Sequence, residues 1–150
     1  MKRIEIFKSE STPFAVKPDP NDPDSSADAG RMRHPGGDDR PQVFDGRTGP
    51  NRQIAIHTHE KDEIIYIVSG QMIFGQHTLN PGDSVYVPGM TLYSFKAGPQ
   101  GLEFLNFRPS KDVTSFRKDQ FMKLQELKGE ERDKYREEVL SAHRQRTGWE

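Results

Sequence analysis

The segment HTHEKDEIIYIVSG, from His57 to Gly70, decides the fold of this chain. Two histidines stand one residue apart, acidic residues follow them, and the apolar run IIYIV begins directly after Glu63. Successive side chains of a β-strand point to opposite faces, so His57 and His59 share a face of any strand that contains both. A tight connection to the next strand would bring Glu63 beside the two histidines. The segment therefore predicts two adjacent strands that join three polar side chains.

The surrounding residues have the same strand-like character. Short β-branched and aromatic runs alternate with turns rich in Gly, Pro and Asn. The runs are RQIAIHTH, EIIYIVSG, QMIFG, HTLNPGD, SVYVPG, LYSFKAG and LEFLNFRP. Many short strands without a helix between them are typical of an antiparallel sandwich or barrel. We therefore predict an all-β fold with its barrel core in residues 51–109.

The flanks of this core are more polar. Residues 1–50 open with RIEIF, whose alternation predicts a short N-terminal strand. From Lys17 to Pro50 the chain is dense in Pro, Asp and Gly, which predicts either a mobile polar arm or a loop with a function. Residues 110–150 have apolar residues at helical spacing and a stop signal at Gly148, which predicts a C-terminal helical extension. The three parts are expected to form one structural domain.

Composition narrows the classes of function. The formal net charge of the 150 residues is −1, which argues against a dedicated nucleic-acid binder. No apolar run is long enough to span a membrane, and the first residues lack the apolar stretch of a signal peptide, so we expect a cytoplasmic protein. The chain has no cysteine, so thiolate ligands and thiolate nucleophiles are excluded. Any metal must be held by His, Asp, Glu or Tyr.

The chemistry of His57, His59 and Glu63 suits a divalent first-row metal, because imidazole nitrogens and a carboxylate are ordinary ligands for such ions. The alternative interpretation is that two surface histidines lie near a turn and Glu63 is an ordinary charged residue. A His-x-His pattern alone does not decide between them.

A second set of residues makes the pattern specific. HTHEKDEIIYIVSG resembles the first cupin motif, in which two histidines, a glutamate and a final glycine correspond here to His57, His59, Glu63 and Gly70. GDSVYVPGMTLYSF resembles the second motif through Gly82 and Pro88. The departures are Asn51 and Met90 where the motifs have glycines, Tyr93 where the second motif has a histidine, and Ala97 where it has an asparagine.

The resemblance covers roughly residues 42–109 and implies a small single-domain, RmlC-like cupin. It implies a double-stranded β-helix (jelly-roll) barrel whose interior holds a divalent transition metal, with Fe²⁺ expected first and Mn²⁺, Ni²⁺ or Zn²⁺ as other candidates. It also implies a homodimer, and the outward residues Ile64, Tyr66 and Val68 are expected to contribute to its interface.

Tyr93 leaves three alternatives open. As a phenolate it is a fourth metal ligand. As a neutral phenol it lies next to a metal held by two histidines and Glu63, with open positions for a substrate, and acts as the catalytic proton donor or acceptor. In the third alternative the loss of the histidine marks a barrel without metal or chemistry. The second alternative is our choice.

Further residues are candidates for the pocket. Phe95 shares the face of Tyr93, Gln53 shares the face of the two histidines, and Arg108 could bind a substrate carboxylate. His34 could close over the site, whereas His77 lies in a hairpin turn too far along the chain.

These residues predict a metal-dependent cupin enzyme, such as a dioxygenase, isomerase or lyase, that acts on a small carboxylate, carbonyl or sugar-like substrate. The alternatives are a non-catalytic cupin that binds or senses a small ligand, and an assembly role for the C-terminal helices. Neither a nucleic acid nor a membrane is expected as a partner.

Overall fold

A computed structural model describes residues 2–149, so Met1 and Glu150 lie outside the described part of the chain. Its principal sheet has seven strands in the order β1-β2-β3-β8-β5-β6, with β7 also paired to β5, and β4 and β9 form a second, small sheet. The strands are β1 (Ala15–Val16), β2 (Ala29–His34), β3 (Gln42–Thr48), β4 (His57–Thr58), β5 (Glu63–Phe74), β6 (His77–Leu79), β7 (Ser84–Val87), β8 (Lys96–Arg108) and β9 (Phe116–Arg117). The helices are α1 (Lys118–Glu126) and α2 (Gly129–Thr147), and short 3-10 turns span Ser9–Ser11 and Pro23–Ala27.

Strand β5 is the centre of the fold. It pairs antiparallel with β8 and β6 and, over its first residues, with β7. Its side chains alternate as the sequence predicts: Glu63, Ile65 and Ile67 are buried, whereas Ile64, Tyr66 and Val68 are exposed. The inward residues join Met72, Val87, Phe95 and Leu102 in the main hydrophobic core. The prediction of an all-β fold with C-terminal helices is confirmed.

The outward face of β5 has the apolar residues that we expect at a dimer interface. Ile64 is paired with Tyr86 on one side and Phe107 on the other, and all three side chains are exposed. The homodimer itself stays a prediction.

The polar arm departs from expectation. Within residues 17–50, β2 and β3 are regular strands of the principal sheet, and β3 pairs with β8 along its whole length. Two features hid them from sequence analysis. Gly46 lies under the Phe104 ring, where an added Cβ would approach the ring to 2.5 Å, so a glycine serves the packing here. The buried Asp45 is neutralised by Arg31 and Arg33, which explains charged residues inside a strand.

The predicted N-terminal strand is wrong. RIEIF forms no strand, and Ile4 and Ile6 are 93% and 79% exposed. Alternation predicts a strand only where a neighbouring strand can pair with it, and no described strand pairs with this segment. The principal sheet instead starts at β1 and extends across the predicted boundary at residue 51.

The C-terminal extension is helical, as predicted. Phe116, Leu124, Val139 and Leu140 form a second buried cluster between α1, α2 and β9. Gly148 ends α2 in the left-handed conformation, with its N–H bonded to Arg144 O at 2.7 Å. Across residues 2–149, no helix combines the length and apolar character needed to cross a bilayer.

Steric crowding explains why the last residue of the first motif is a glycine, and this explanation gives a prediction. Gly70 has a φ of +73°, and an added Cβ would lie 2.1 Å from the Gly101 carbonyl oxygen on β8. Gly75 has a similar φ of +61° but open space around it. We expect Gly75→Ala to cost about 1–2 kcal/mol, the penalty of the left-handed conformation. Gly70→Ala should cost a further ~1–3 kcal/mol, because backbone must move. Urea unfolding of both variants measures the difference, and equal losses would contradict this explanation.

Candidate metal and ligand site

His57 and Tyr93 face each other across a short antiparallel bridge. The backbone N–H of each donates to the carbonyl of the other at 3.0 Å. Their ring centroids are 4.5 Å apart, and the His59 ring lies 5.0 Å from His57 and 6.3 Å from Tyr93. The structure therefore brings together the two histidines and the tyrosine that the sequence predicts for the site.

Both imidazole rings are fixed through Nδ1. His57 Nδ1 lies 2.8 Å from Ala55 O, and His59 Nδ1 contacts Thr114 O. A carbonyl only accepts, so in each neutral ring Nδ1 carries the proton and Nε2 keeps its lone pair. Metal-binding histidines are commonly oriented by such a bond from the other ring nitrogen.

The two rings are neutral bases. Each ring is partly buried in the protein. This burial lowers the pKa of His57, and together with the nearby Arg108 it lowers the pKa of His59 to about 3. Neutral imidazole is the form that binds metals.

Glu63 is 2% exposed, so its negative charge lies in the protein interior. Its Oε2 accepts hydrogen bonds from Asn106 Nδ2 at 2.6 Å and from Arg108 Nη2 at 3.0 Å. Burial would raise the pKa of this carboxyl, but the Arg108 charge and the hydrogen bond from Asn106 outweigh burial and lower it. The other oxygen, Oε1, is buried without a hydrogen-bond partner among residues 2–149.

Tyr93 is a buried neutral phenol. Its ring stacks between Phe74 and Phe95, at centroid distances of 6.0 and 6.5 Å. Burial and the adjacent Glu63 charge raise the pKa of Tyr93 well above its usual value. With the charges of the protein alone, the phenol form is favoured over the phenolate.

A network behind the site was missed by sequence analysis. Arg108 also donates to Asp112 O at 2.7 Å, and the Asp112 carboxylate accepts from Lys61 N and Thr114 N, both at 2.8 Å. Thr114 in turn supplies the carbonyl that fixes His59. One signal was available: Asn106 and Arg108 are polar residues two apart in a strand, so both face the side that carries Glu63.

The donor set fits a transition metal in its chemistry. Two free Nε2 atoms, the unpartnered Glu63 Oε1 and the Tyr93 hydroxyl are nitrogen and oxygen donors of the kind that first-row divalent ions bind. Within residues 2–149, however, no three His, Cys, Asp or Glu side chains form a ready-made cluster. Glu63 instead commits one oxygen to Arg108 and Asn106.

A cavity of about 290 Å³ opens onto His57, His59 and Tyr93, whereas Glu63 does not line it. Phe95 and Arg108 line it with His57, His59 and Tyr93, as expected for pocket residues. Gln53 does not line it; its amide donates to Phe95 O at 3.1 Å from an exposed position. His34 packs near Phe7, and His77 lies exposed in the β5–β6 hairpin, so neither contributes to the cavity.

Residues of α2 also line the cavity, which the sequence did not predict. His143, Arg146 and Thr147 line it, and Trp149 follows them. Arg146 Nη2 donates to His143 Nδ1 at 3.1 Å. Burial and Arg146 lower the pKa of His143 to about 4, with Arg108 adding to the effect and Asp19 and Asp112 opposing it.

Solved structures with the same architecture are numerous. The polyketide cyclase RemF from Streptomyces resistomycificus has a TM-score of 0.58 and 21% identity, covering 79% of this chain and 85% of that one. An RmlC-like cupin from Ralstonia eutropha has a TM-score of 0.60 and 12% identity, covering 83% and 88%. The DMSP lyase DddQ from Ruegeria pomeroyi has a TM-score of 0.59 and 15% identity, covering 73% and 62%.

The chain is therefore a cupin in its fold, an RmlC-like jelly-roll β-barrel with C-terminal helices. At these identities the likeness carries the architecture alone. No protein-family profile matches the chain, and no curated protein sequence matches it either.

The buried ion pair gives a prediction. Arg108→Met should destabilise the protein by about 3–5 kcal/mol, because it leaves the Glu63 charge buried without its cation. Adding Glu63→Gln should recover part of that loss, since the uncompensated charge is then gone. Arg40→Met is a matched control: its pair with Glu5 has the same 3.0 Å distance but is exposed, so it should cost less than about 1 kcal/mol. Denaturant unfolding of these proteins and of the single Glu63→Gln variant measures the energies, and strictly additive losses at Glu63 and Arg108 would contradict this coupling.

The lowered pKa of His143 predicts a pH dependence. The unfolded chain takes up a proton near pH 6.5 that folded His143 accepts only near pH 4. Stability therefore falls as the pH drops through this window, because the unfolded state binds more protons. His143→Gln should flatten this part of the curve of unfolding free energy against pH, whereas replacing the exposed His77 by Gln should leave it unchanged. An unaltered slope in His143→Gln would show that His143 is not held neutral.

Proposed function

We propose that this cupin is a metal-dependent enzyme that acts on a small carboxylate, carbonyl or sugar-like substrate. The observation that carries the proposal is the pair of Nε2 lone pairs on His57 and His59, both oriented through Nδ1, beside the Tyr93 phenol in one cavity. Neutral bases and a proton-bearing hydroxyl in a partly apolar cavity are the components of metal-assisted acid–base chemistry.

His57 and His59 would anchor the ion, and Glu63 Oε1 would complete a triad of two histidines and one carboxylate. Fe²⁺ is the first candidate for such a triad, and Mn²⁺, Ni²⁺ and Zn²⁺ also accept these donors. When bound, a divalent ion supplies a Lewis acid that polarises a carbonyl or carboxylate oxygen.

The protein's own residues have distinct tasks. Tyr93 holds a proton at its hydroxyl oxygen, because its raised pKa keeps the phenol neutral, and can donate it to a substrate oxygen that gains negative charge. Asn106 and Arg108 hold the Glu63 carboxylate in place and ionised. The aromatic walls formed by Phe74, Phe95 and Phe104 exclude water from one side of the site.

The class of reaction is left open by the comparisons. The structural neighbours include a polyketide cyclase and a DMSP lyase, which shows that this architecture supports different chemistries. A dioxygenase, an isomerase or a lyase could each use the components described above.

The second candidate function is a cupin that binds or senses a small ligand without chemistry. The Glu63–Arg108 ion pair favours it, because this pair already neutralises the carboxylate that a metal would need. In that case His57, His59 and Tyr93 would be hydrogen-bonding groups for the ligand.

Elemental analysis of protein purified without a metal-chelating tag tests for the metal that the enzyme proposal requires. We expect about one first-row divalent ion per chain, either as purified or after incubation with Fe²⁺ or Mn²⁺ without oxygen. His57→Ala and His59→Ala should reduce the bound metal at least tenfold, as removal of one ligand does. His77→Ala is the matched control and should keep it.

Tyr93→Phe tests the role of the phenol in the same assay. We expect this variant to retain its metal, because the proposed ligands are His57, His59 and Glu63, and Tyr93 would act only as a proton donor. Loss of the metal would make Tyr93 a ligand. A wild-type protein that takes up no transition ion would leave only the ligand-binding function.

A further inference from the structure

The cavity is closed by the last turn of α2, not by the barrel strands alone. Thr147 is 4% exposed, and the Trp149 ring packs edge-on against Phe44 of β3, with centroids 5.9 Å apart. Lys17 Nζ lies 5.2 Å from the centre of the Trp149 ring. We call Lys17, His143, Arg146 and Trp149 the cover. Its residues line the same cavity as His57, His59 and Tyr93.

The cavity has a surplus of positive charge. Four cationic and two acidic side chains line it, namely Lys17, Arg47, Arg108, Arg146, Asp28 and Asp112. Most of them are already compensated, because Arg47 pairs with Glu103, Arg108 with Glu63, and Asp28 with Arg52. Asp112 accepts hydrogen bonds from backbone and Thr114 donors.

The two cations of the cover differ from the rest. Among residues 2–149, neither Lys17 nor Arg146 forms an ion pair with a carboxylate. Arg146 instead contacts a backbone oxygen, Lys17 O at 3.5 Å, and the His143 ring. The His143 Nδ1 accepts that bond, so the neutral ring keeps its proton on Nε2 as a further donor. A cationic guanidinium with a neutral donor beside it suits a bound carboxylate.

The remaining walls are largely apolar. Ile54, Ile65, Phe95 and Phe104 line the cavity together with the cover and the two histidines. Phe95 and Phe104 meet edge to face at a centroid distance of 5.8 Å, so the wall presents both an aromatic face and an edge. A volume of about 290 Å³ is at the small end of ligand pockets.

We propose that the cavity takes a small monocarboxylate with a flat, apolar body, its carboxylate bound by Arg146 and Lys17 of the cover. The apolar body lies against Phe95 and Phe104, and the end remote from the carboxylate reaches His57, His59 and Tyr93. This names a substrate class for the proposed function and rests on it. The proposed anion site uses residues other than the proposed metal ligands. The anion site and the metal site can therefore be tested separately.

Hydrocinnamate is a suitable probe, because it joins a carboxylate to a phenyl ring, and hydrocinnamamide is its neutral analogue. Trp149 is the single tryptophan of the chain and part of the cover, so its fluorescence reports on binding there. We expect a saturable change in Trp149 emission with hydrocinnamate. The amide should bind about tenfold more weakly or worse, since it cannot form a charge-assisted pair.

Substitutions of the cationic side chains test which of them binds the carboxylate of hydrocinnamate. Arg146→Gln should weaken hydrocinnamate binding at least tenfold and leave amide binding unchanged, and Lys17→Gln should act in the same direction. Arg144→Gln is the matched control, because Arg144 lies on the same helix but pairs with Glu137 outside the cavity. Unchanged thermal melting of each variant shows that the cover is still folded.

Equal binding of acid and amide, no saturable binding of hydrocinnamate, or an Arg146→Gln variant that binds like the wild type would overturn the proposal. The titrations are run with chelator-treated and with metal-loaded protein. If binding depends on Arg146 but no metal is taken up, the metalloenzyme proposal fails and the carboxylate site remains. If metal is bound but Arg146 has no effect, only the substrate class is wrong.

Discussion

The structure depends on a buried charge at the start of its central strand. Glu63 begins β5, and Arg108 ends β8, so their ion pair joins the two longest strands where the site opens. Arg108 also holds the Asp112 backbone, and Asp112 holds Thr114, whose carbonyl fixes the His59 ring. The two charges are taken out of water, and such a pair is tolerated only where further hydrogen bonds complete it. The orientation of a candidate metal ligand is therefore a consequence of an ion pair deeper in the barrel.

The same network has two opposite effects on metal binding at this site. Arg108 lowers the pKa of His59, which favours the neutral ring that metals need. Its positive charge also repels a cation and occupies one Glu63 oxygen. A carboxylate substrate would offset that positive charge. Metal and anionic ligand would then favour each other's binding, since each relieves the electrostatic cost of the other.

The structure could be predicted from the sequence where side-chain alternation and local motifs carry the information. The inward position of Glu63 and Ile65 and the C-terminal helices follow from spacing along the chain, and the proximity of His57 and Tyr93 is what the resemblance to the cupin motifs implies. The structure could not be predicted where distant segments supply the reason for a local structure. Gly46 lies in a strand because Phe104, far along the chain, covers it, and Asp45 is buried because Arg31 and Arg33 neutralise it. The closure of the cavity by α2 likewise depends on tertiary packing that no local pattern records.

The departures from the cupin motifs also have a backbone explanation. Asn51 and Met90 replace motif glycines, and they are the non-glycine residues with positive φ in the described chain, at +58° and +55°. The fold thus keeps the left-handed conformation after the glycine is lost. Asn adopts this conformation readily, whereas for a residue such as Met it costs about 1–2 kcal/mol. Met90 N donates to His59 O at 2.7 Å, so the strained residue holds the backbone of the second histidine. Strain that persists beside a site is typical of functional positions, because the surrounding structure must impose it. The positive φ of Met90 therefore helps to hold the backbone of His59 in place.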